Sequence, residues 1–457
     1  MHIAGKRFVV IGAARSGVAV ARLLHAAGAS VFVSDNAPEE RKAEAVRTLT
    51  QLGVAYEFGG HSARVLDADI IAISPGVPDA VPIVQEAIRR GITLVSELEV
   101  SGWFCPGPIV AITGTNGKTT TTTLCGRMFE DARRPVVVGG NIDPAFADVV
   151  GGMTPEHTAV LEVSSFQLDH AKTFHPRVAV LLNITPDHLD RYDHDFSKYV
   201  ESKSRVFVFQ GAGDTVIYND DDDVTRHAVD ERLPAGVHRL PFSVRRTLTE
   251  GAWVAEGTLM TCVNGRRARV IATDDISIRG IHNLYNAMAA TLSAQVMAVS
   301  TASVRATLRD FKGVEHRLEV VRTIDGVTYI NDSKATNVDS VWYALQSYDA
   351  PLILLLGGRD KGNDYLRLHD LVRKHVKAII AIGESAGKVE SSFAGIVPVE
   401  NAASMDQAVR AATARATRGD IVLLSPACAS FDWFTNYEHR GRVFKEIVQA
   451  LLGEHAC

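Results

Sequence analysis

The stretch Pro108–Thr123, PIVAITGTNGKTTTTT, decides how this chain is read. An apolar run, Ile109–Ile112, stops at Gly114. Thr115, Asn116, Gly117, Lys118, Thr119 and Thr120 follow, and then a helix-compatible segment, Leu124–Phe129. Strand, glycine turn, Gly-Lys-Thr and helix is the layout of a phosphate-binding loop. Glycines let backbone N–H groups turn inward around phosphate oxygens, and the N-terminus of the next helix favours negative charge. In that layout Lys118 reaches the β- and γ-phosphates of a nucleotide, and the Thr119 hydroxyl sits on Mg2+. The alternative, a chance Gly-Lys-Thr in a surface turn, leaves the flanking strand and helix unexplained.

Around this loop the composition is that of an ordinary globular protein. The chain has 457 residues, 46% hydrophobic and 22% charged, which is too long for one core and predicts two or three domains. A net charge of −5 argues against a nucleic-acid partner held on a broad basic surface. The N-terminus enters a strand almost at once, so no signal peptide is expected. No apolar run approaches the ~20 residues of a membrane span. Five scattered cysteines (Cys105, Cys125, Cys262, Cys428, Cys457) without a CxxC pair suggest reduced thiols and a cytoplasmic protein. A monomer is expected.

Upstream of the loop, Arg7–Ile11, the glycine turn Gly12–Gly17, an apolar-periodic helix ending at Gly28, and Ala29–Ser34 closed by Asp35 form a nucleotide-binding βαβ start. Ala14 occupies the middle glycine position, so the unit also suits an NAD-dependent oxidoreductase only loosely. Asp35 could bond ribose hydroxyls or cap a turn. A further strand, Asp69–Ser74, ends in Ser74-Pro75-Gly76, either a diphosphate contact or a plain turn. Helix Val84–Arg90 and strand Thr93–Ser96 lead to a boundary at Cys105-Pro106-Gly107-Pro108.

Downstream, Pro135–Asn141 ends in Gly139-Gly140-Asn141, and Thr158–Val163 carries Glu162 at its end. A carboxylate there, beside a phosphate loop, is the expected second Mg2+ contact; a buried ion pair is the other reading. Val178–Asn183 leads into TPDHLDRYDH with His188, and Phe196–Phe209 reads as a helix with Tyr199 and Lys203 one turn apart. Read alone, His188 is a loop histidine and Lys203 a solvated lysine. Residues 214–280 read as a β-rich flank with a hairpin at Asn264-Gly265. Helix Leu284–Val299 follows, and Lys312-Gly313 marks a second boundary. The last 140 or so residues restart βα alternation, with strands Val327–Ile330, Leu352–Leu356, Ala378–Ile382 and Ile421–Leu424 each ending in a polar loop. The expected fold is α/β in three domains. Residues 1–105 are a Rossmann-like substrate domain. Residues 106–313 are a phosphate-loop ATPase domain with a β-rich flank. Residues 314–457 are a Rossmann-like amino-acid domain.

Only two residues separate Gly114 from Gly117, where the general motif has four. This GTNGKT form resembles the Mur ligase superfamily, which includes the folylpolyglutamate synthases. GGNI (139–142), LEVSSFQLD (161–169), LNITPDHLDRY (182–192), HNLYNA (282–287), HRLE (316–319), NDSKATN (331–337) and SPACASFDWFTNYEHRG (425–441) extend the resemblance over essentially the whole chain. The LEVSSFQL, NDSKATN and SPACASFD stretches are similar to the D-glutamate-adding branch. Arg15 in GAARSG and the DKGND loop depart from the commonest family forms.

The resemblance implies an ATP-dependent amide ligase that adds D-glutamate to UDP-N-acetylmuramoyl-L-alanine through an acyl-phosphate, in cytoplasmic peptidoglycan precursor synthesis. It implies that Gly114–Thr120 and Lys118 hold ATP phosphates, that Thr119 and Glu162 hold one Mg2+, and that His188 and a carbamylated Lys203 hold a second. Asn283, Arg317 and Asp332 resemble nucleotide contacts. Ser16, Asp35, Asn36, Ser74 and Gly76 resemble the UDP site, where Asp35 would meet a uracil edge. Asn141 and His188 would face the muramoyl-alanine end. Lys334, Thr336, Lys361, Ser430, Phe431 and Tyr437 would hold D-glutamate; without the resemblance Ser430 reads as a cap and the two aromatics as core. Sites on three domains imply closure on substrate. Another Mur ligase, a folylpolyglutamate synthase, the oxidoreductase, or a nucleotide-gated binding protein are the rival expectations.

Overall fold

The computed structural model describes residues 3–360 and 362–451; Lys361 and Cys457 lie outside the described residues. Among the described residues three sheets form. The first contains β1 (Arg7–Ile11), β2 (Ser30–Asp35), β3 (Ala55–Phe58), β4 (Ile70–Ile73) and β5 (Thr93–Ser96), in the order β3-β2-β1-β4-β5. All its pairings are parallel. Phe8–Ile11 and Ile70–Ile73 are buried along their whole length, as strands covered on both faces must be. The first helix, Arg15–Ala26, starts sooner than the apolar periodicity suggests. Its first turn lies so close to the end of β1 that a Cβ on Gly17 would stand 1.9 Å from the Gly12 carbonyl oxygen. The helix Ala43–Leu52 and the edge strand β3 escaped the sequence reading. β3 has no buried residue, so its apolar signal is weak.

The second sheet contains β6 (Ile109–Thr113), β7 (Val136–Gly140), β8 (Thr158–Glu162), β9 (Val178–Leu181), β10 (Thr215–Asn219), β11 (His238–Ser243), β12 (Gly251–Ala255), β13 (Thr258–Val263) and β14 (Arg266–Ala272). Its order is β14-β13-β12-β11-β10-β9-β6-β8-β7. Pairing is parallel from β7 to β12 and antiparallel from β12 to β14. The expected hairpin is there: Asn264 and Gly265 both have positive φ, 52° and 72°, as a tight two-residue turn requires. The flank is less purely β than expected. A helix, Asp223–Arg232, links β10 to β11 and is capped by Asp222, whose side chain accepts the Thr225 N–H.

The third sheet contains β15 (Glu319–Ile324), β16 (Val327–Asn331), β17 (Leu352–Gly357), β18 (Val376–Ile382), β19 (Val399–Ala402) and β20 (Ile421–Leu424), in the order β15-β16-β20-β17-β18-β19. Only the β15 edge pairs antiparallel. The chain divides into two compact units: one of residues 1–276 and 285–310, the other of 277–284 and 311–457. The first two sheets share one unit, and the short segment 277–284 belongs with the third.

Helix Glu97–Gly102 shows how the first two sheets are joined. Leu98 enters the core of the second sheet with Ile109, Phe146 and Leu161, while Val100 enters the core of the first. Between them Glu97 is 2% exposed. Its carboxylate accepts the Ala147 N–H at 2.8 Å, the Gln167 amide at 3.0 Å and the Ser101 hydroxyl at 3.3 Å. Burial outweighs those donors and pushes its pKa up to about 7. Glu97→Ala should therefore lower stability by about 2–4 kcal/mol, because three buried donors lose their acceptor. Glu97 is proton-richer folded than unfolded, so the stability it contributes is present below its ordinary pKa of 4.5 and declines as pH rises through about 7. The wild-type advantage in melting temperature over Glu97→Ala should shrink from pH 5 to pH 8, and a constant advantage would contradict this.

Candidate functional site

The loops after β7, β8, β6 and β9 leave the same end of four neighbouring parallel strands, where a sheet of this kind collects ligand-binding groups. They carry Asn141, Glu162, Gly114–Thr120 and His188. The phosphate loop is a tight cradle. Gly117 has φ 87°, and a Cβ there would fall 2.3 Å from the Asn286 Oδ1. Gly114 has φ 154°, and its Cβ would meet Leu182 at 2.9 Å. The helix Lys118–Asp131 begins directly at the lysine, so its N–H groups open onto the loop, earlier than the sequence signal at Leu124 indicates. Asn183 braces the loop from the end of β9: its Oδ1 accepts the Asn116 N–H at 2.8 Å and its Nδ2 donates to the Asn116 carbonyl at 3.0 Å.

Thr119, Glu162 and Asn141 form a continuous chain. The Thr119 hydroxyl donates to Glu162 Oε2 at 2.6 Å, and Asn141 Nδ2 donates to Glu162 Oε1 at 2.9 Å. Glu162 is 3% exposed, with a hydroxyl and an amide as these neighbours. Lys118 Nζ donates to the Gly114 and Thr115 carbonyls at 2.9 and 2.8 Å. Lys203 is no surface lysine. It is 2% exposed, its Nζ donates to the same Gly114 carbonyl at 2.9 Å, and it lies 4.6 Å from the centre of the Tyr199 ring. Burial, and then the Lys118 ammonium, hold its amine well below the usual lysine range against the pull of Asp187, Asp169 and Glu162. Its helix ends at Ser204, before the expected Phe209, yet keeps Tyr199 and Lys203 on one buried face. His188 sits in the left-handed region at φ 53°, its ring edge-on to Phe166 at 5.2 Å and its Nε2 3.7 Å from Asp187.

In the same unit, a cavity of about 550 Å³ runs between the first and second sheets, lined by Ser16, Asp35, Ser74, Gly76, Asn141 and Gln167 among others. Asn36 lines an adjoining cavity that also includes Asp35 and Gly76. Asp35 does act as a turn cap: Oδ2 accepts the Ala13 N–H at 2.6 Å and Oδ1 the Ala37 N–H at 2.8 Å. Burial would raise its pKa, but these bonds and Lys42 at 3.1 Å outweigh it and keep the carboxylate ionised. The Ser74 hydroxyl donates to the Gly12 carbonyl at 2.9 Å, tying the two loops together.

In the other unit, Asp332 is buried between the Ser425 hydroxyl at 2.7 Å and the Leu318 N–H at 3.3 Å. Burial pushes it up to about 6, with Arg317 opposing. Arg317 Nε is buried without a hydrogen-bond partner among the described residues. Asn283 Nδ2 donates to the Arg279 carbonyl at 2.8 Å. Lys334 lies 5.3 Å from the centre of the Tyr437 ring, and Thr336 is half-buried. Ser430 is buried, but Phe431 is 61% exposed, so the core-aromatic reading of Phe431 fails. The sequence expectations give Arg440 no role. It is 1% exposed and donates to Ser333 Oγ and to the Ser333, Cys428 and Ala429 carbonyls, holding the NDSKATN and SPACAS loops together. An arginine inside a run of charged residues on a helix carries no sequence sign of burial.

These residues fit the groups the resemblance implies. A loop whose glycines admit no Cβ, opening onto a helix N-terminus, suits phosphates. Thr119 and Glu162 supply the hydroxyl and carboxylate oxygens that Mg2+ takes. The unsatisfied Arg317 Nε suits an anionic or carbonyl ligand.

Family models match the chain in three consecutive parts: the Mur ligase MurD-like N-terminal domain over residues 6–96, the Mur ligase middle domain over 112–294, and the Mur ligase glutamate ligase domain over 316–428. A UDP-N-acetylmuramoylalanine--D-glutamate ligase of Salinibacter ruber is 50% identical over 454 residues, covering 98% of each chain. The enzyme of that name from Chloroherpeton thalassium is 43% identical, covering 98% of this chain and 99% of its own. Among solved structures, a pseudomurein peptide ligase type C from Methanothermus fervidus superposes with a TM-score of 0.62 at 20% identity, over 97% of this chain and 99% of that one. UDP-N-acetylmuramate-alanine ligase MurC from Thermotoga maritima gives 0.60 at 19% identity, with the same coverage; at such identities the likeness is one of fold. The match over residues 6–96 also decides between the two readings of the Gly12–Asp35 unit, against the oxidoreductase. From its first sheet to its last, the chain belongs to the Mur ligase family.

Proposed function

We propose that this chain is the ATP-dependent ligase that joins D-glutamate to UDP-N-acetylmuramoyl-L-alanine, making a precursor of peptidoglycan in the cytoplasm. The observation that carries the reading is 50% identity over 98% of the chain to a relative with that name. ATP phosphorylates the substrate carboxylate, and the D-glutamate amine attacks the acyl-phosphate with loss of phosphate. The chain's own part is positioning and charge neutralisation. Lys118 and the N–H groups of Gly114–Thr120 would hold the phosphates, and Thr119 and Glu162 would hold one Mg2+. His188 and Lys203, as its carbamate, would hold a second. Bound Mg2+ would screen the negative charge that develops in phosphoryl transfer.

The domains 1–105, 106–313 and 314–457 take the UDP-linked substrate, ATP and the amino acid in turn. Ser16, Asp35, Asn36, Ser74 and Gly76 hold the UDP end, with Asn141 and His188 at the muramoyl-alanine end. Asn283, Arg317 and Asp332 contact the nucleotide. Lys334, Lys361, Thr336, Ser430, Phe431 and Tyr437 hold D-glutamate, two cations for its two carboxylates. The test is ADP release in the presence of UDP-N-acetylmuramoyl-L-alanine. D-glutamate should drive it, and L-glutamate, meso-diaminopimelate and L-lysine should not. A preference for one of the others would overturn the reading.

Asp35→Ala separates the first domain from the ATP site. It should raise KM for the UDP-linked substrate and leave KM for ATP unchanged, since uniform binding energy is what is lost. Equal damage to both constants would show that Asp35 only supports the fold.

A further inference from the structure

Beyond Asp35 and Asn36, the ends of β2 and β3 carry a hydrogen-bonded relay that the roles above leave unused. The Ser34 hydroxyl donates its single proton to Glu57 Oε1 at 2.7 Å. Glu57 also accepts the Ser62 N–H at 2.9 Å. Burial would raise Glu57, but these donors outweigh it and keep it an ionised acceptor. His61 Nδ1 lies 2.7 Å from the same Ser34 oxygen. Because the Ser34 proton already points to Glu57, the proton between Ser34 and His61 must come from the imidazole. Burial keeps that ring neutral. A neutral ring with its proton on Nδ1 presents Nε2 as a lone-pair acceptor.

His61 lines a cavity of about 710 Å³ at the C-terminal end of the first sheet. Val77, Val81 and Ile83 are among its apolar lining residues, and Asp35, Asn36 and Glu86 among its polar ones. An apolar slot beside fixed polar groups suits a flat heterocycle whose edge is to be read. Asp35, ionised and held by two backbone N–H groups, is a rigid acceptor for hydroxyls. His61 is a second acceptor, and its tautomer is set from behind.

We infer that His61 is a specificity-determining residue for the base: its Nε2 accepts the imide N–H of uracil, in a tautomer held by the Glu57–Ser34 relay. Cytosine has a lone pair at that ring nitrogen, so it meets His61 lone pair to lone pair and is rejected. The inference rests on the reading that a UDP-linked substrate occupies this cavity.

Calorimetric titration of the full chain with UDP and with CDP tests it. The wild type should prefer UDP by roughly 10-fold or more, the size of one good base-edge contact. His61→Ala should weaken UDP binding by a similar factor and bring the two affinities close to equal, with ATP binding unchanged. His61→Gln, whose amide can turn either its N–H or its C=O to the base, should lose the preference while keeping the bulk. Ser34→Ala should lower the preference with His61 still present, because the tautomer is no longer set. A UDP preference that survives in His61→Ala or His61→Gln, or a wild type that does not discriminate, would overturn the inference and leave the substrate reading intact. A wild type that binds neither UDP nor the UDP-linked substrate would overturn both.

Discussion

Lys118→Ala should lower kcat/KM for ATP-dependent ligation by at least ~10²-fold, about 3 kcal/mol of transition-state stabilisation, the order of loss when a key charge-stabilising donor is removed. The lysine stands at the first position of the helix Lys118–Asp131, and its Nζ rests on the Gly114 and Thr115 carbonyls. Those are acceptors within the loop itself, four and three residues away. Folding stability should change by under ~1 kcal/mol. The check is ADP release under saturating UDP-linked substrate and D-glutamate, with melting temperature as the control. Near-full activity in a folded Lys118→Ala would show that the loop takes no part in catalysis.

Lys203→Ala should be nearly inactive and partly recover with acetate or formate at fixed ionic strength. A free ammonium cannot ligate Mg2+, whereas the carbamate formed with CO2 is an anion with two oxygens, the ligand a hard cation takes. The amine that must react is 2% exposed and held well below the usual lysine range, so its lone pair is more available than on a solvated lysine. Truncation also leaves a hole beside Tyr199 and removes a bond to Gly114, so some loss of stability is expected. Added acid cannot restore lost packing; it can only refill an anion site, and that distinguishes the two effects. Lys203→Glu should keep part of the activity because it restores a carboxylate at shorter reach. Wild-type-like turnover of Lys203→Ala without added acid would sink the carbamate proposal.

Local patterns carried much of this molecule. β1, β5 and β20 lie where short apolar runs end in Gly or Ser, because a strand covered on both faces must be apolar throughout. Asn264-Gly265 is a hairpin for a reason internal to two residues, their tolerance of positive φ. The phosphate loop is legible for the same kind of reason: glycine spacing, lysine and threonine act within one turn. Two of the missed elements carry little apolar signal, β3 with no buried residue and the helix Asp223–Arg232 with seven of its ten positions polar or charged, since without an apolar stripe there is no period to read.

What the tertiary structure alone decided are the meetings between distant residues. Lys203 is 89 positions from Gly114, and nothing in its helix says that its amine is buried on that carbonyl. Glu97 and Arg440 look like surface charges until the elements packed around them are in place. Glu57, Ser34 and His61 become a relay only because β3 pairs with β2. A sequence states which groups can act and which turns the backbone can make, because those depend on single residues and their neighbours. It does not state which groups lose their water, because burial and proton placement depend on what the rest of the chain packs against them.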